Sequence, residues 1–218
     1  DVAVYNRQIS ENDKDIFGIV NEAIRTAYEK KGVAVVICPN DLLTQNIKDT
    51  TDKPVNTTKL KAIAPKFKNI KKAAKLINKS KKPVVLFGVG AQHAKDELRE
   101  FVEMAKIPVI HTLPAKAIIA DDHPYNLGNL GQIGTKASYQ TIQDADLLIM
   151  IGTNFPFVKY LPKKNIKAIQ IDTKEENISH RFDINVGILG DSKIALQQLT
   201  ENIKHVAKRP FLDKALDR

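Results

Sequence analysis

Apolar residues in this chain fall into short unbroken runs, separated by longer stretches in which they recur every three or four positions. That is the pattern of strands alternating with helices. Five runs stand out: Pro83 to Phe87, Pro108 to Thr112, Leu147 to Ile151, Ala168 to Ile171 and Ile184 to Leu189. A helix is predicted before the first, with Ile70, Ala73, Ala74 and Ile77 on one face and Lys68, Lys71, Lys72, Lys75 and Lys79 on the other. A second, Ala94 to Ala105, turns Ala94, Leu98, Phe101, Val102 and Ala105 inward, and a third spans Thr135 to Gln143. The last begins at Ser192 as N-cap and turns Leu196, Leu199, Ile203 and Val206 inward. Strands separated by helices or long crossovers predict an α/β fold, a parallel sheet flanked by helices on both faces.

Residues 1–45 give one further αβ unit. Tyr5 to Ile9 is extended, Asp15 to Lys30 is helical with Gly32 as its stop, and Val33 to Ile37 reads as a strand buried on both faces. One such unit cannot enclose a core, so residues 1–45 are expected to be the tail of a preceding domain. The start, DVAVYNRQIS, has no Met and reads as the beginning of an internal piece. Residues 46–68 are polar and aperiodic and read as a linker, 69–208 as the main domain, and 209–218 as a tail toward a further domain.

Composition narrows the class. The formal charge is +9, and the segment from Asn46 to Lys82 accounts for it with 12 Lys against 2 acidic residues. That segment has no Arg and one aromatic, Phe67, so it reads as a solvated helix face and not as a nucleic-acid surface. No apolar stretch is long enough for a membrane span, and the first ten residues lack the basic start and apolar core of a signal peptide. The single Cys38 lies in an apolar run and is expected to be buried, and a cytoplasmic location is the default.

In an open parallel sheet, ligands bind beyond the carboxyl ends of the strands. Here those ends carry Gly88 and Gly90, Thr112, then Gly152, Thr153 and Asn154, then Asp172, then Gly190 and Asp191. Glycines that admit a diphosphate and a carboxylate for a ribose suit a nucleotide. The same residues are ordinary in turns, and the pattern alone leaves both readings open. An NAD fingerprint is not met, because Gly88-Val89-Gly90 lacks its third glycine and no acid closes the next strand. His93, His111 and His123 share no metal-ligand spacing, so no metal site is expected, and Asp121 and Asp122 read as a solvated turn.

Taken in order, the strings KPVVLFGVGA (82–91), IPVIHTLPAKAIIADDHPYNLGNLGQIG (107–134), DADLLIMIGTNFPF (144–157) and KAIQIDTKEENISHRFDINVGILGD (167–191) resemble the middle domain of thiamine-diphosphate enzymes of the pyruvate oxidase and acetolactate synthase group. KKGVAVVICPNDL (30–42) resembles the end of the group's pyrimidine-binding domain. GTNFPF followed by QID looks most like the pyruvate oxidases and quinone-linked pyruvate dehydrogenases. The resemblance implies FAD laid across the sheet ends. Gly88 and Gly90 would face its diphosphate, and Thr112 and Lys116 would line the ribityl and phosphate path. Leu130, Gly131, Gln132 and Ile133, with Gly152, Thr153, Asn154, Phe155 and Pro156, would hold the flavin and its chain. Asp172 would bind the adenosine ribose and Asp191 would lie near the adenine.

The group commonly has Gly where Ala117 stands, and a φ above zero there would strain this loop. The group's catalytic Glu and its GDG…N motif are absent from these residues, so no catalytic residue is expected in this chain, and thiamine diphosphate and Mg²⁺ would belong to the parent alone. The implied parent activity is oxidative decarboxylation of pyruvate, with electrons passing through FAD to a quinone or O₂. The rival is an acetolactate-synthase-like or decarboxylase middle domain with structural FAD, or with no nucleotide and a role in subunit packing. Expected partners are FAD, the other domains of the same polypeptide and further copies in a tetramer. Peripheral membrane contact of the parent stays open.

Overall fold

The five apolar runs between residues 83 and 189 all become strands in the computed structural model, which describes residues 2–45 and 62–218. The chain divides into two compact units, between Lys61 and Ala62. Most of the stretch read as a linker, 46–61, lies outside the described residues.

The first unit pairs β1 (Ala3–Gln8) in parallel with β2 (Val33–Ile37), joined by α1 (Ile16–Lys30). Asp15 caps α1 by accepting from the Gly18 N–H at 2.7 Å. The left-handed residue that ends α1 is Lys31 (φ 47°), whereas the sequence pointed to Gly32 as the stop. β2 is not buried on both faces as its composition predicted: Val33 and Ile37 are exposed, and its three middle residues are only half-buried. Cys38 is also exposed, against expectation, because it lies just beyond the end of β2, where no described element covers it.

The second unit opens with α2 (Phe67–Lys79), which buries Ile70, Ala73, Ala74 and Ile77 and exposes its five lysines, as its periodicity predicted. In chain order there follow β3 (Pro83–Phe87), α3 (Lys95–Ala105), β4 (Val109–His111), β5 (Asn126–Asn129), α4 (Lys136–Asp144) and β6 (Leu147–Ile151). β7 (Lys167–Asp172), β8 (Val186–Leu189), α5 (Ser192–Asn202) and α6 (Pro210–Leu216) complete it. The strands form one parallel sheet in the order β5-β4-β3-β6-β7-β8. Alternate residues of each central strand enter two separate cores. Val85 and Phe87 of β3, with Leu147, Ile149 and Ile151 of β6, pack under α2, α3 and α5. Val84, Leu86, Leu148 and Met150 pack on the opposite face with Ile142 of α4 and Phe211 and Ala215 of α6. Burial on both faces is why these strands read as unbroken apolar runs.

Two elements differ from expectation. The irregular passage after residue 112 contains a sixth strand, β5, whose sequence Asn-Leu-Gly-Asn has almost no strand propensity and which is held at the sheet edge by pairing with β4. Residues 209–218, read as a tail, contain α6, which starts with Pro210 in its first turn and buries Phe211, Leu212 and Ala215. A smaller shift falls at α5. Its N-cap is Asp191, which accepts from the Lys193 and Ile194 N–H groups, and not Ser192; Val206 lies beyond the helix.

Candidate functional site

The strand order places a topological switch point between β3 and β6. The chain leaves β3 toward β4 on one side, while β6 leads on to β7 and β8 on the other. In such a sheet a crevice opens beyond the carboxyl ends of those two central strands. Its floor is a backbone contact. Gly88 N–H donates to Ile151 O at 2.9 Å, and Gly90 N–H donates to Gly152 O at 3.0 Å. A Cβ on Gly90 would lie 2.6 Å from the Gly152 Cα, and one on Gly88 would lie 2.6 Å from Gly152 O. Gly152 itself has φ 59° and a Cβ there would meet the Gly90 backbone at 2.5 Å. These three positions need glycine because the loops after β3 and β6 touch. The Gly88 and Gly90 N–H groups are both engaged in this contact, so neither is a free donor at the crevice.

Free donors stand one residue further on. The Thr153 and Asn154 N–H groups carry no hydrogen bond to any described residue. The Asn154 side chain is fixed from both ends: its Nδ2 donates to Asn177 Oδ1 at 3.1 Å, and its Oδ1 accepts from Arg181 Nε at 3.1 Å. Phe155 is buried in the core under α4 and does not line the crevice, while Pro156 is exposed and Phe157, in edge contact with Phe155 at 5.6 Å, projects outward.

Asp172 ends β7 and is 8% exposed. Its Oδ1 accepts from the Lys174 N–H at 2.9 Å and from Asn177 Nδ2 at 3.2 Å. Its Oδ2 has no partner among the described residues, and it is the one site carboxylate with an oxygen to spare on a buried side chain. Beneath it, Gln170 donates to Thr153 O and Asn177 O and accepts from the Ser179 N–H, which ties the loops after β6 and β7 together. Gln170, Asn177 and Arg181 were not singled out from the sequence, although Gln170 lies in the QID string. Asp191 is engaged as the cap of α5, and Ser192 Oγ donates to Gly90 O at 2.7 Å, anchoring the crevice floor to that helix.

On the other side of the switch point, Thr112 follows β4 with its N–H held by Phe87 O and its carbonyl by Ala115 N–H and His111 Nδ1. Lys116 is exposed and pairs with Asp121 at 3.2 Å. Ala117 has φ 70°, the left-handed conformation that its departure from the group's glycine put in question. Leu130 is buried beside β4, its N–H donating to His111 O. Gly131 has φ 141° with open space where a Cβ would be, and Gln132 and Ile133 are exposed.

The carboxyl ends thus gather free amides, a buried carboxylate with one free oxygen, and a set of exposed large apolar side chains: Val89, Leu113, Ile133 and Phe157. Each of those four follows a different strand, β3, β4, β5 and β6. A ligand with a flat apolar ring and a polar, hydroxyl-bearing chain fits that combination. Among the described residues no cluster of His, Cys, Asp and Glu could hold a metal ion, and no helix is long and apolar enough to cross a membrane.

Comparison with known proteins agrees with this architecture. The family described as thiamine pyrophosphate enzyme, central domain, matches residues 70–199. YdaP of Bacillus subtilis, named as thiamine pyrophosphate-containing, is 43% identical over 216 residues, 98% of this chain and 37% of its own length. The pyruvate oxidase of Lactiplantibacillus plantarum is 28% identical over 97% of this chain and 36% of its own length. An acetolactate synthase of Mycobacterium leprae is 31% identical over 88% of this chain and 32% of its own length. The chain thus spans about a third of the length of these relatives. With more than half of its residues matched to one domain family, the chain belongs to the thiamine pyrophosphate enzymes and carries their central domain.

Proposed function

We propose that this central domain holds FAD across the carboxyl ends of its sheet, in an enzyme that oxidatively decarboxylates pyruvate. The observation that carries the reading is the joint presence, at the β3/β6 switch point, of the free Thr153 and Asn154 amides, the half-free Asp172 carboxylate and the exposed apolar residues after β3 to β6. Thr153 and Asn154 would donate to the phosphates, and Asp172 Oδ2 would accept from a ribose hydroxyl. Val89, Leu113, Ile133 and Phe157 would cover the ring and exclude water from it. Gln170 and Asn177 would hold these groups in place. Bound FAD would supply a two-electron acceptor for the decarboxylated substrate. The thiamine chemistry would belong to residues outside this chain, as its share of its relatives' length suggests.

The pyruvate assignment rests on the pyruvate oxidase relative and on the GTNFPF and QID strings. An acetolactate-synthase-like parent with a structural flavin is the second reading, favoured by the 31% identity to the mycobacterial synthase. Anaerobic addition of pyruvate, with thiamine diphosphate and Mg²⁺, to the whole protein separates the two. Loss of the oxidised flavin's absorbance supports pyruvate oxidation. Unchanged flavin absorbance with acetolactate formed supports the synthase.

A further inference from the structure

At the opposite end of the sheet, beside the amino end of β3, lies a cavity of about 580 Å³. Its wall holds Arg209, which is 8% exposed. Arg209 Nε donates to Ala105 O at 3.1 Å and Nη1 to Ser80 O at 2.9 Å, so one guanidinium closes the carboxyl ends of both α3 and α2. The carbonyl ends of two helices are a favourable place for a cation. Yet no carboxylate among the described residues lies within ion-pair distance of Arg209. Asp146, the carboxylate that acts on it through space, is engaged with the Ser80 hydroxyl and the Lys81 N–H. Burial lowers the pKa of Arg209, and Asp146 opposes that only in part. The Nη2 edge, with no partner among the described residues, is the part left for a ligand. A buried charge without a counter-charge is costly, and an anion delivered to it is bound with corresponding strength.

The surroundings match that requirement. Lys81, Lys82, Lys208 and Lys214 ring the cavity, and Val206 and Phe211 give it apolar walls. Lys214 pairs with Asp144 at 3.1 Å and Lys208 weakly with Asp213 at 3.9 Å. Lys81 and Lys82 make no ion pair with a described residue. Pockets of this size accommodate small organic ligands.

We propose that this cavity binds a small organic anion, an oxyanion head on an apolar body, with Arg209 and the Lys81–Lys82 pair on the head and Val206 and Phe211 on the body. The site lies at the far end of the sheet from the crevice and shares no residue with it. Phenyl phosphate, benzoate and inorganic phosphate serve as probes, titrated calorimetrically into the chain. Phenyl phosphate or benzoate binds saturably and more tightly than inorganic phosphate; the tighter of the two identifies the head group. Lys81→Gln combined with Lys82→Gln, both on the exposed rim, weakens binding about tenfold, and Arg209→Lys weakens it at least as much because a single ammonium cannot hold the Ala105 and Ser80 carbonyls and still present a donor to the anion. FAD binding is unchanged in the rim variant, which separates this site from the crevice. The proposal is overturned if no probe saturates, or if the rim variant binds phenyl phosphate and benzoate as tightly as the parent chain. It is equally overturned if inorganic phosphate binds as tightly as both organic probes.

Discussion

Replacing Gly90 by Ala asks whether the glycines at the strand ends serve packing or a ligand. The added Cβ would stand 2.6 Å from the Gly152 Cα and 2.9 Å from Gly152 O, where carbon atoms normally rest about 3.5–4.0 Å apart. The neighbour is backbone, not a flexible side chain. It is held by the Gly90 N–H to Gly152 O bond at 3.0 Å and by the Gly152 N–H to Ile151's neighbour strand at Ile171 O, 2.8 Å. Relief therefore requires the loops after β3 and β6 to part by roughly 1 Å, which breaks the first of these bonds. Overpacking costs about 1–3 kcal/mol, and the rigid neighbour puts this case at the upper end. For a domain of this size about 3 kcal/mol lowers the melting temperature by roughly 6–12 °C. Thermal unfolding followed by circular dichroism, without flavin, reads this directly. A melting temperature unchanged in the apo chain, with FAD binding abolished, would refute the packing argument and show that Gly90 is there to admit the ligand.

Three further outcomes follow from the structure. Ala117→Gly is expected to stabilise the chain by about 0.5–1 kcal/mol, because left-handed Ala costs about 1–2 kcal/mol and glycine returns part of that through the unfolded state; a lower melting temperature would contradict it. Cys38 should react fully with a thiol reagent under native conditions, and protection until denaturant is added would contradict its exposure. Asp144 is held below the usual carboxylate range by its hydrogen bonds to Arg218 and then Lys214. Its contribution is present above the unfolded carboxylate's pKa and is lost as pH falls through the lower folded value. Asp144→Asn should therefore flatten the acid limb of the stability–pH curve and leave its slope near neutrality unchanged.

The sequence was most informative where one physical term dominates. β3 and β6 are buried on both faces, so their bounds were read directly from unbroken apolar runs. α2 separates lysines from Ile and Ala so sharply that its buried face was evident residue by residue. β5 was hidden because its place is set by pairing with β4 and not by its own residues. α6 does carry a local signal, Pro210 followed by Phe211, Leu212 and Ala215, but seven residues are too few for a helical period to stand out. At the site, the strand ends were located from the sequence, but the reason for their glycines was not. Contact between Gly90 and Gly152 joins two strands distant in the chain, and no local pattern reports it. Nor could spacing reveal that Phe155 points into the core, or that Asp191 caps a helix from a half-buried position while Asp172 presents its free oxygen from a buried side chain.

The most direct test of the proposed FAD site is the absorbance spectrum of the purified chain after incubation with FAD and desalting, compared with that of Asp172→Asn. The expected result is a retained flavin band in the parent chain and a much weaker one in the variant, whose amide keeps an oxygen for the loop but loses the charge that grips a ribose hydroxyl. A parent chain that emerges colourless, while folded by circular dichroism, would contradict a flavin site formed by these residues.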